Sequence, residues 1–550
     1  MSRIKIAGGR IYDPANDIDG EVRDLWIESG KVVPAPTDPN RRPDRTIDAG
    51  GYAVMPGGID MHCHIAGPKV SAARRLFPDV PTREHGNKNG GGARPRLPLV
   101  PAAPMTGRLF AAMGYTTAMD AAIPGLLSRH AHDEFHDTPV LDKGFYQLFG
   151  NNHYVLDCVR EGRDEQLDAY LAWGLSSCKG YAVKVVNPGG VENYKHISRK
   201  TIRELEEPIE QFGVTPRQIV ESLSAASDRL NLPHSVHIHC NNLGIPGNWE
   251  TTRKTMEALG GCRGHIAHIQ FHSYAGTPDD PRSFSSATQR LVDYVLEHEN
   301  VTIDVGHVHP GRTLSMTGDA PFAAHLKRLT GGKWFTADTE NEASCGVIPG
   351  EFKPHKSLVH AVQWAIAIEW YLLMLDDPWR VALTSDHPNG GAFYRYPEMI
   401  HLLMDRDFRR EAIERMPADL QQRTMLADID RAYTLNDIAI ITRAAPARIL
   451  GLKNKGHLGI GADADITIYA PQDDIRAMFE RPHWVFKSGN LVAQDGEMVA
   501  ATPGNTFFTS PEFGMSQLPG IRDWFEQHYS VQLANYPVRE EEVCRPLAVG

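Results

Sequence analysis

Along the 550-residue chain, short alternating runs give way to a long strand-and-helix rhythm and then return. In the first 55 residues "IKIAGGRIYD", "DLWIESGKVV" and "RTIDAGGYAVMPG" alternate apolar and polar positions between Gly-containing turns. Successive side chains on a strand point to opposite faces, so this period of two predicts short, half-buried strands. The same look comes back near the other end, in "KGHLGIGADADITIYAP" and "HWVFKSGNLVAQDGEMV". Together they predict one small composite β domain made of residues 1–55 and 455–505.

The stretch between, 56–454, reads differently. Apolar runs such as "AVKVV" (182–186), "SVHIH" (235–239), "HIAHIQF" (265–271), "VTIDVG" (301–306) and "VALTSD" (381–386) predict strands. Amphipathic segments such as "TPRQIVESLSAASDRLN" and "SATQRLVDYVLEHEN" predict helices between them. This alternation predicts an α/β fold, a (β/α)8 TIM-like barrel whose site lies at the C-terminal ends of the strands. A Gly-, Pro- and Arg-rich insert at 67–108 interrupts the pattern and is expected to form a lid, and 506–550 is a C-terminal extension.

Composition narrows the class. Hydrophobic residues make up 41% and charged residues 23%, as in soluble globular proteins. The net charge of -11 and the lack of a basic run argue against nucleic acid. The start "MSRIKIAGGRIYDPAND" has no signal-peptide core, and no run of 18 apolar residues stands out, so a cytoplasmic protein without a membrane span is expected. Seven scattered cysteines with no C-x-x-C suit reduced thiols rather than an iron–sulfur or zinc-ribbon module.

The candidate chemistry starts in "MPGGIDMHCHIAG" (55–67). On a strand His62 and His64 share a face, and two adjacent imidazoles suit a metal. Lys184, His239, His268 and Asp386 likewise close apolar strands and precede turn signals. Lys184 carries no lone pair while protonated. It is either a buried lysine paired with an acid, the simpler reading from spacing, or a neutral amine that captures carbon dioxide as a carbamate. Asn187, Asn241, Asn242 and Asn389 follow these positions, where amides can hold substrate or simply serve the turns formed with Gly189, Gly190, Gly390 and Gly391. His307 and His309 repeat the His-x-His theme without an evident role.

"PGGIDMHCH", "APARILGLKNKGHLGIGADADITIY" and the order HxH, Lys, His, His, Asp resemble the amidohydrolase superfamily, and within it the branch with a carboxylated lysine, as in dihydropyrimidinase-like enzymes. The resemblance implies two Zn2+ bridged by carboxylated Lys184, with His62, His64, His239, His268 and Asp386 as the other ligands. It also makes Asp386 the proton shuttle. His237 and His272 are alternatives to His239 and His268; "IHCNN" and "IAHIQ" favour the latter pair because they are similar to the family's "VHAEN" and "VHVSS".

Longer runs, "HIAGPKV", "MGYTTAMDAAIPGLLSRHAHDEF", "VKVVNPGG", "HCNNLGIPGN" and "TSDHPNGGAF", resemble a narrower family. It comprises the A-type subunits of formylmethanofuran dehydrogenases and the alpha subunits of bacterial formyltransferase/hydrolase complexes. The expected reaction is hydrolysis of N-formylmethanofuran, or an analogue, to formate and methanofuran, or the reverse condensation in a dehydrogenase complex. Partner subunits of one-carbon metabolism are implied in both cases. A cyclic amidase and a non-catalytic scaffold are the competing readings; the Asn/Gly-rich runs speak against the first and the intact ligand set against the second. An Arg-to-Lys ratio of 40 to 17 leans toward the bacterial hydrolase. Arg74, Arg75, Arg83, Arg94 and Arg96 are expected to make the entrance basic for an acidic carrier, and the tail is expected to meet partner subunits.

Overall fold

Eight parallel strands follow one another in chain order around the centre of the computed structural model. They are β1 (Gly58–Cys63), β2 (Tyr115–Pro124), β3 (Asp142–Leu148), β4 (Ala182–Val186), β5 (Val236–His239), β6 (Gly264–Ile266), β7 (Val301–Asp304) and β8 (Val381–Ala382). The described residues are 3–38, 41–76, 97–196, 200–278, 280–331 and 346–550. Each strand pairs with the next from β1 to β8. Between β8 and β1 two backbone bonds bridge the gap: Asp386 N–H donates to His62 O and His64 N–H to His387 O, both at 2.9 Å. The result is an eight-stranded α/β barrel, nearly closed, with an added sheet.

The outer helices follow from their sequences. Thr215 caps Pro216–Arg229 through a capping box with Gln218, and that helix buries Ile219, Val220 and Leu223 on one side. Thr288–Glu297 does the same with Leu291, Val292 and Val295. Covered on both faces, β1 to β5 are buried at every position.

Several expected strands are shorter than their apolar runs. "HIAHIQF" is a strand only over Gly264–Ile266; His268 then takes φ 33° and Ile269–His272 forms a 3-10 turn. β8 stops at Ala382 before Asp386 at φ 44°. Left-handed backbone breaks the ladder at these two residues, so each leaves the strand direction where its side chain is used.

Strands from both chain ends share one nine-stranded sheet. Ala53–Pro56 pairs antiparallel with Ile466–Tyr469, and Ile6, Ile11, Ile27, Ile466, Ile468 and Phe486 pack beneath. The tail packs on this chain's own barrel. Thr506–Phe508 runs parallel beside β3, and Leu518–His528 buries Ile521 and Phe525. Its inner face is therefore occupied by the barrel rather than left for a partner subunit. Among the described residues one helical run, Leu358–Asp376, is long and apolar enough to cross a membrane by length and composition, but 67% of its most apolar window is buried inside the chain.

Candidate metal centre

A cavity of about 600 Å³ opens at the C-terminal ends of the strands. His62, His64, Lys184, His239, His268 and Asp386 all line it. Its walls are apolar: Phe271 and Phe284 on one side, Met316, Phe322, Ile348 and Phe352 on another. The last four come from the connection between β7 and β8, which contains the hairpin Gly311–Thr317/Gly346–Phe352 and the helix Ala320–Thr330. The lid expected at 67–108 contributes Lys69 among its described residues, while 77–96 lie outside them.

The histidines are held from behind by carboxylates. His62 Nδ1 lies 3.0 Å from Asp304 Oδ2, and its Nε2 lies 3.4 Å from Asp386 Oδ1. His64 Nε2 is 3.3 Å from the same Asp386 oxygen. His239 Nε2 is 3.1 Å from Asp319 Oδ2, which leaves its Nδ1 as the free lone pair. Burial pushes the Asp304 carboxyl up, but the imidazoles of His62 and His265 outweigh that and hold it well below the usual range. Asp386 is likewise held low, His64, His62 and the 2.8 Å bond from Asn389 Nδ2 overcoming its burial.

Lys184 is only 2% exposed, and its Nζ has no hydrogen-bond partner. Burial, opposed only in part by Asp304 and Asp386, lowers its ammonium from 10.5 to about 7. His268 Nδ1 is also buried without a hydrogen-bond partner, while His64 Nδ1 has only the Asp120 carboxylate, 3.8 Å away. Orphaned polar atoms of this kind are rare in folded proteins and are what a missing ion or modification leaves behind. Donor atoms of His62, His64 and Asp386 lie within 4.8 Å of one another, and so do those of His239, His268 and His272. The donor set thus fits divalent cations.

Of the two alternatives, neither His237 nor His272 lines the cavity. His237 makes hydrogen bonds to His62 and His234, while His272 stacks on His268 at 5.2 Å. Among the four asparagines only Asn389 reaches the cavity. Asn187 Nδ2 donates to Asp319, Asn241 Nδ2 donates to Asn187, and Asn242 Nδ2 donates to Arg203 O and Thr251 Oγ1. His307 and His309 are buried outside the wall. Arg74 is bound to Glu134, Pro101 O and Ile65 O, so it does not supply free charge at the entrance. Arg75 is exposed, and Arg83, Arg94 and Arg96 lie outside the described residues.

The model of the amidohydrolase family matches residues 45–492. The chain belongs to the amidohydrolase family. It is 41% identical to protein FwdA of Methanocaldococcus jannaschii over 563 aligned residues, covering 98% of this chain and 96% of that one. It is 37% identical to the A-type component of the formyltransferase/hydrolase complex Fhc of Methylorubrum extorquens, over 97% and 96% of the two chains. The crystal structure of that organism's FhcABCD complex with methylofuran contains a chain that superposes with a TM-score of 0.91 at 35% identity, both chains covered in full. This amidohydrolase is a metal-dependent hydrolase of carbon–nitrogen bonds.

Sequence reasoning missed Asp304, Asp319, Asp120 and Lys69. Asp304 lies inside the predicted strand "VTIDVG" and closes the observed one, Val301–Asp304. Asp120 sits on a strand that periodicity did not reveal, where its Oδ2 accepts from the N–H groups of Ile65 and Ala66 at 2.8 and 3.0 Å. Gly306 is needed where it stands: at φ 65° a Cβ would come within 2.7 Å of His268 Cβ and 3.1 Å of Asp386 Cβ.

Proposed function

We propose that this amidohydrolase hydrolyses an N-formyl amine of the methanofuran type to formate and the free amine, as the hydrolytic subunit of a formyltransferase/hydrolase complex. The observation that carries it is an unpaired, neutral-prone Lys184 among five further ligand-type side chains in one cavity. Lys184 as a carbamate would bridge two divalent zinc-like ions, with His62, His64 and Asp386 on one and His239 and His268 on the other. When bound, such ions supply Lewis acidity to the formyl oxygen and acidify water toward neutrality.

The chain's own residues do the rest. Asp386, ionised and facing His62 and His64, accepts the proton of the attacking water and returns it to the amine nitrogen as the C–N bond breaks. Asn389 Nδ2 holds Asp386 Oδ1, and Asn389 Oδ1 accepts from Met316 N–H at 2.6 Å, so the acid is fixed to the cavity wall. The apolar walls exclude bulk water and suit a carrier whose arm beyond the amine is apolar. In the same proposal the chain divides into a composite domain of 1–55 and 455–505, a barrel of 56–454 with the insert 67–108, and an extension 506–550.

The 41% identity to FwdA favours a second reading, condensation of formate with the amine in a dehydrogenase complex. Copurifying the native complex separates the two. Formate release from formylated carrier, with no formate oxidation by the partner subunits, supports the hydrolase. A partner subunit that interconverts carbon dioxide and formate supports the dehydrogenase.

A further inference from the structure

β5 carries a second histidine that the mechanism leaves unused. His237 is fully buried, stands two residues before His239 and lies outside the cavity wall. It is the middle of a continuous chain of hydrogen bonds. His234 Nδ1 lies 3.0 Å from Ile449 O, His234 Nε2 lies 3.0 Å from His237 Nδ1, and His237 Nε2 lies 3.1 Å from His62 Nδ1. Asp304 Oδ2 meets that same His62 nitrogen at 3.0 Å.

The two ends of this chain fix where its protons sit. A carbonyl oxygen only accepts, so His234 Nδ1 must carry a proton and its Nε2 offers a lone pair. His237 then donates from Nδ1 and accepts at Nε2. At the other end a carboxylate also only accepts, so His62 Nδ1 carries a proton, shared between Asp304 Oδ2 and His237 Nε2. The opposite tautomer of His237 would set lone pair against lone pair at His234 and N–H against N–H at His62. The first contact would be buried and unsatisfied, and at the second both N–H groups would compete for Asp304 Oδ2, 3.0 Å from His62 Nδ1 but 3.6 Å from His237 Nε2. One proton pattern satisfies the contacts from Ile449 O to Asp304, and it reserves His62 Nε2, the atom 3.4 Å from Asp386 Oδ1, for a metal ion.

Asp304 alone does not hold the ring. Its two oxygens also accept from His265 Nε2, Thr384 Oγ1 and His268 N–H. His237 itself is clamped, its ring 4.6 Å from that of His265 and 4.5 Å from that of Tyr146.

We infer that His237 and His234 are positioning residues. Together with Asp304 they set the tautomer and tilt of His62, so that Nε2 is presented to a metal ion. The inference rests on the metal-centre reading proposed above. In that scheme the HxH of β1 binds, and the HxH of β5 divides its work, His239 facing the cavity and His237 orienting His62.

Imidazole 15N NMR of the histidine-labelled, metal-free wild-type protein reads the pattern directly. A proton on Nδ1 of both His237 and His62 is expected, with Nε2 of His237 unprotonated; an Nε2-protonated His237 would overturn the inference. His237→Phe should weaken one of two divalent sites by about 10–100-fold in chelator competition, leave the other unchanged and alter the cobalt(II) spectrum. His237→Gln, a donor at one end and an acceptor at the other, should recover most of the affinity. A Phe variant that binds both ions like wild type, or a Gln variant no better than Phe, would contradict the role. Should the Phe variant not fold, the wild-type spectrum and the Gln variant decide. A wild-type protein that binds no divalent ion would defeat the metal-centre reading separately, since the tautomers are read without metal.

Discussion

Two sets of buried lysines, at different places in the barrel, are treated in opposite ways. Lys455 and Lys487 lie where the composite sheet meets the start of β3. Lys487 Nζ contacts Asp142 and Asp465 at 2.6 and 2.7 Å, and Lys455 Nζ contacts Asp142, Asp465 and Asp463. Burial works against the Lys455 ammonium, but Asp142, Asp465 and Asp463 more than reverse it and hold its pKa well above 10.5. Lys184 is as deeply buried, and its Nζ has no hydrogen-bond partner. A paired buried charge locks two parts of the fold together, whereas an unpaired one is retained only where its amine has chemistry to perform.

The largest expected difference between the two sets is in function. Lys184→Ala should cut divalent-metal affinity by more than about 100-fold and abolish turnover, with partial rescue by short carboxylic acids. Metal analysis and formyl hydrolysis with added acetate or propionate check this. Lys455→Met should instead destabilise the fold by about 3–5 kcal/mol, because it leaves buried carboxylates short of a cation. The folded fraction of Lys455→Met should keep its kcat, as denaturant titration paired with kinetics would show. If Lys184→Ala lost stability and kept metal, the contrast would collapse.

Asp386→Asn comes next. It should keep at least one metal and lower kcat by roughly 10²-fold or more, since the proton carrier is lost while a ligand oxygen remains. Near-normal turnover would move the proton role elsewhere. Asn389→Ala should act in the same direction and more weakly, about 10-fold or less, by releasing a single charge-assisted hydrogen bond to Asp386.

A further difference lies in pH dependence. In the metal-free folded chain the Lys184 ammonium loses its proton near pH 7, against 10.5 in the unfolded chain. Between those values the unfolded state binds the extra proton, so stability should rise with pH from about 7 toward 10.5. Lys184→Met should remove that slope. Lys455 should add none, since a raised pKa keeps its contribution constant below 10.5. Denaturant midpoints of the metal-free proteins across this range measure the difference.

Much of this was legible in the sequence because barrel strands are short and end in their functional residues. "AVKVV" and "VHIH" needed only a short apolar run carrying a Lys or ending in a His to be found. β2 and β3 were not found, because "YTTAMDAAIP" and "DKGFYQL" are buried throughout and carry small or polar residues that mask their apolar character. The wall formed by the connection after β7 was not foreseen for a related reason. The insert 67–108 announces itself by composition, whereas the hairpin and helix after β7 look like ordinary elements and reveal their place only in three dimensions. The pairing of Lys455 with Asp142 spans more than 300 positions, and no local pattern marks it. Spacing alone ranked an acid partner first for Lys184; in the fold that arrangement belongs to Lys455.

The central claim is that Lys184 is a carbamate within a metal centre. Its most direct test is 13C NMR of the protein reconstituted with zinc and 13C-bicarbonate. A protein-bound carbamate carbon that exchanges slowly, appears only with metal and is missing from Lys184→Ala is the expected result. Zinc-loaded, active wild-type protein with no carbamate signal would contradict it.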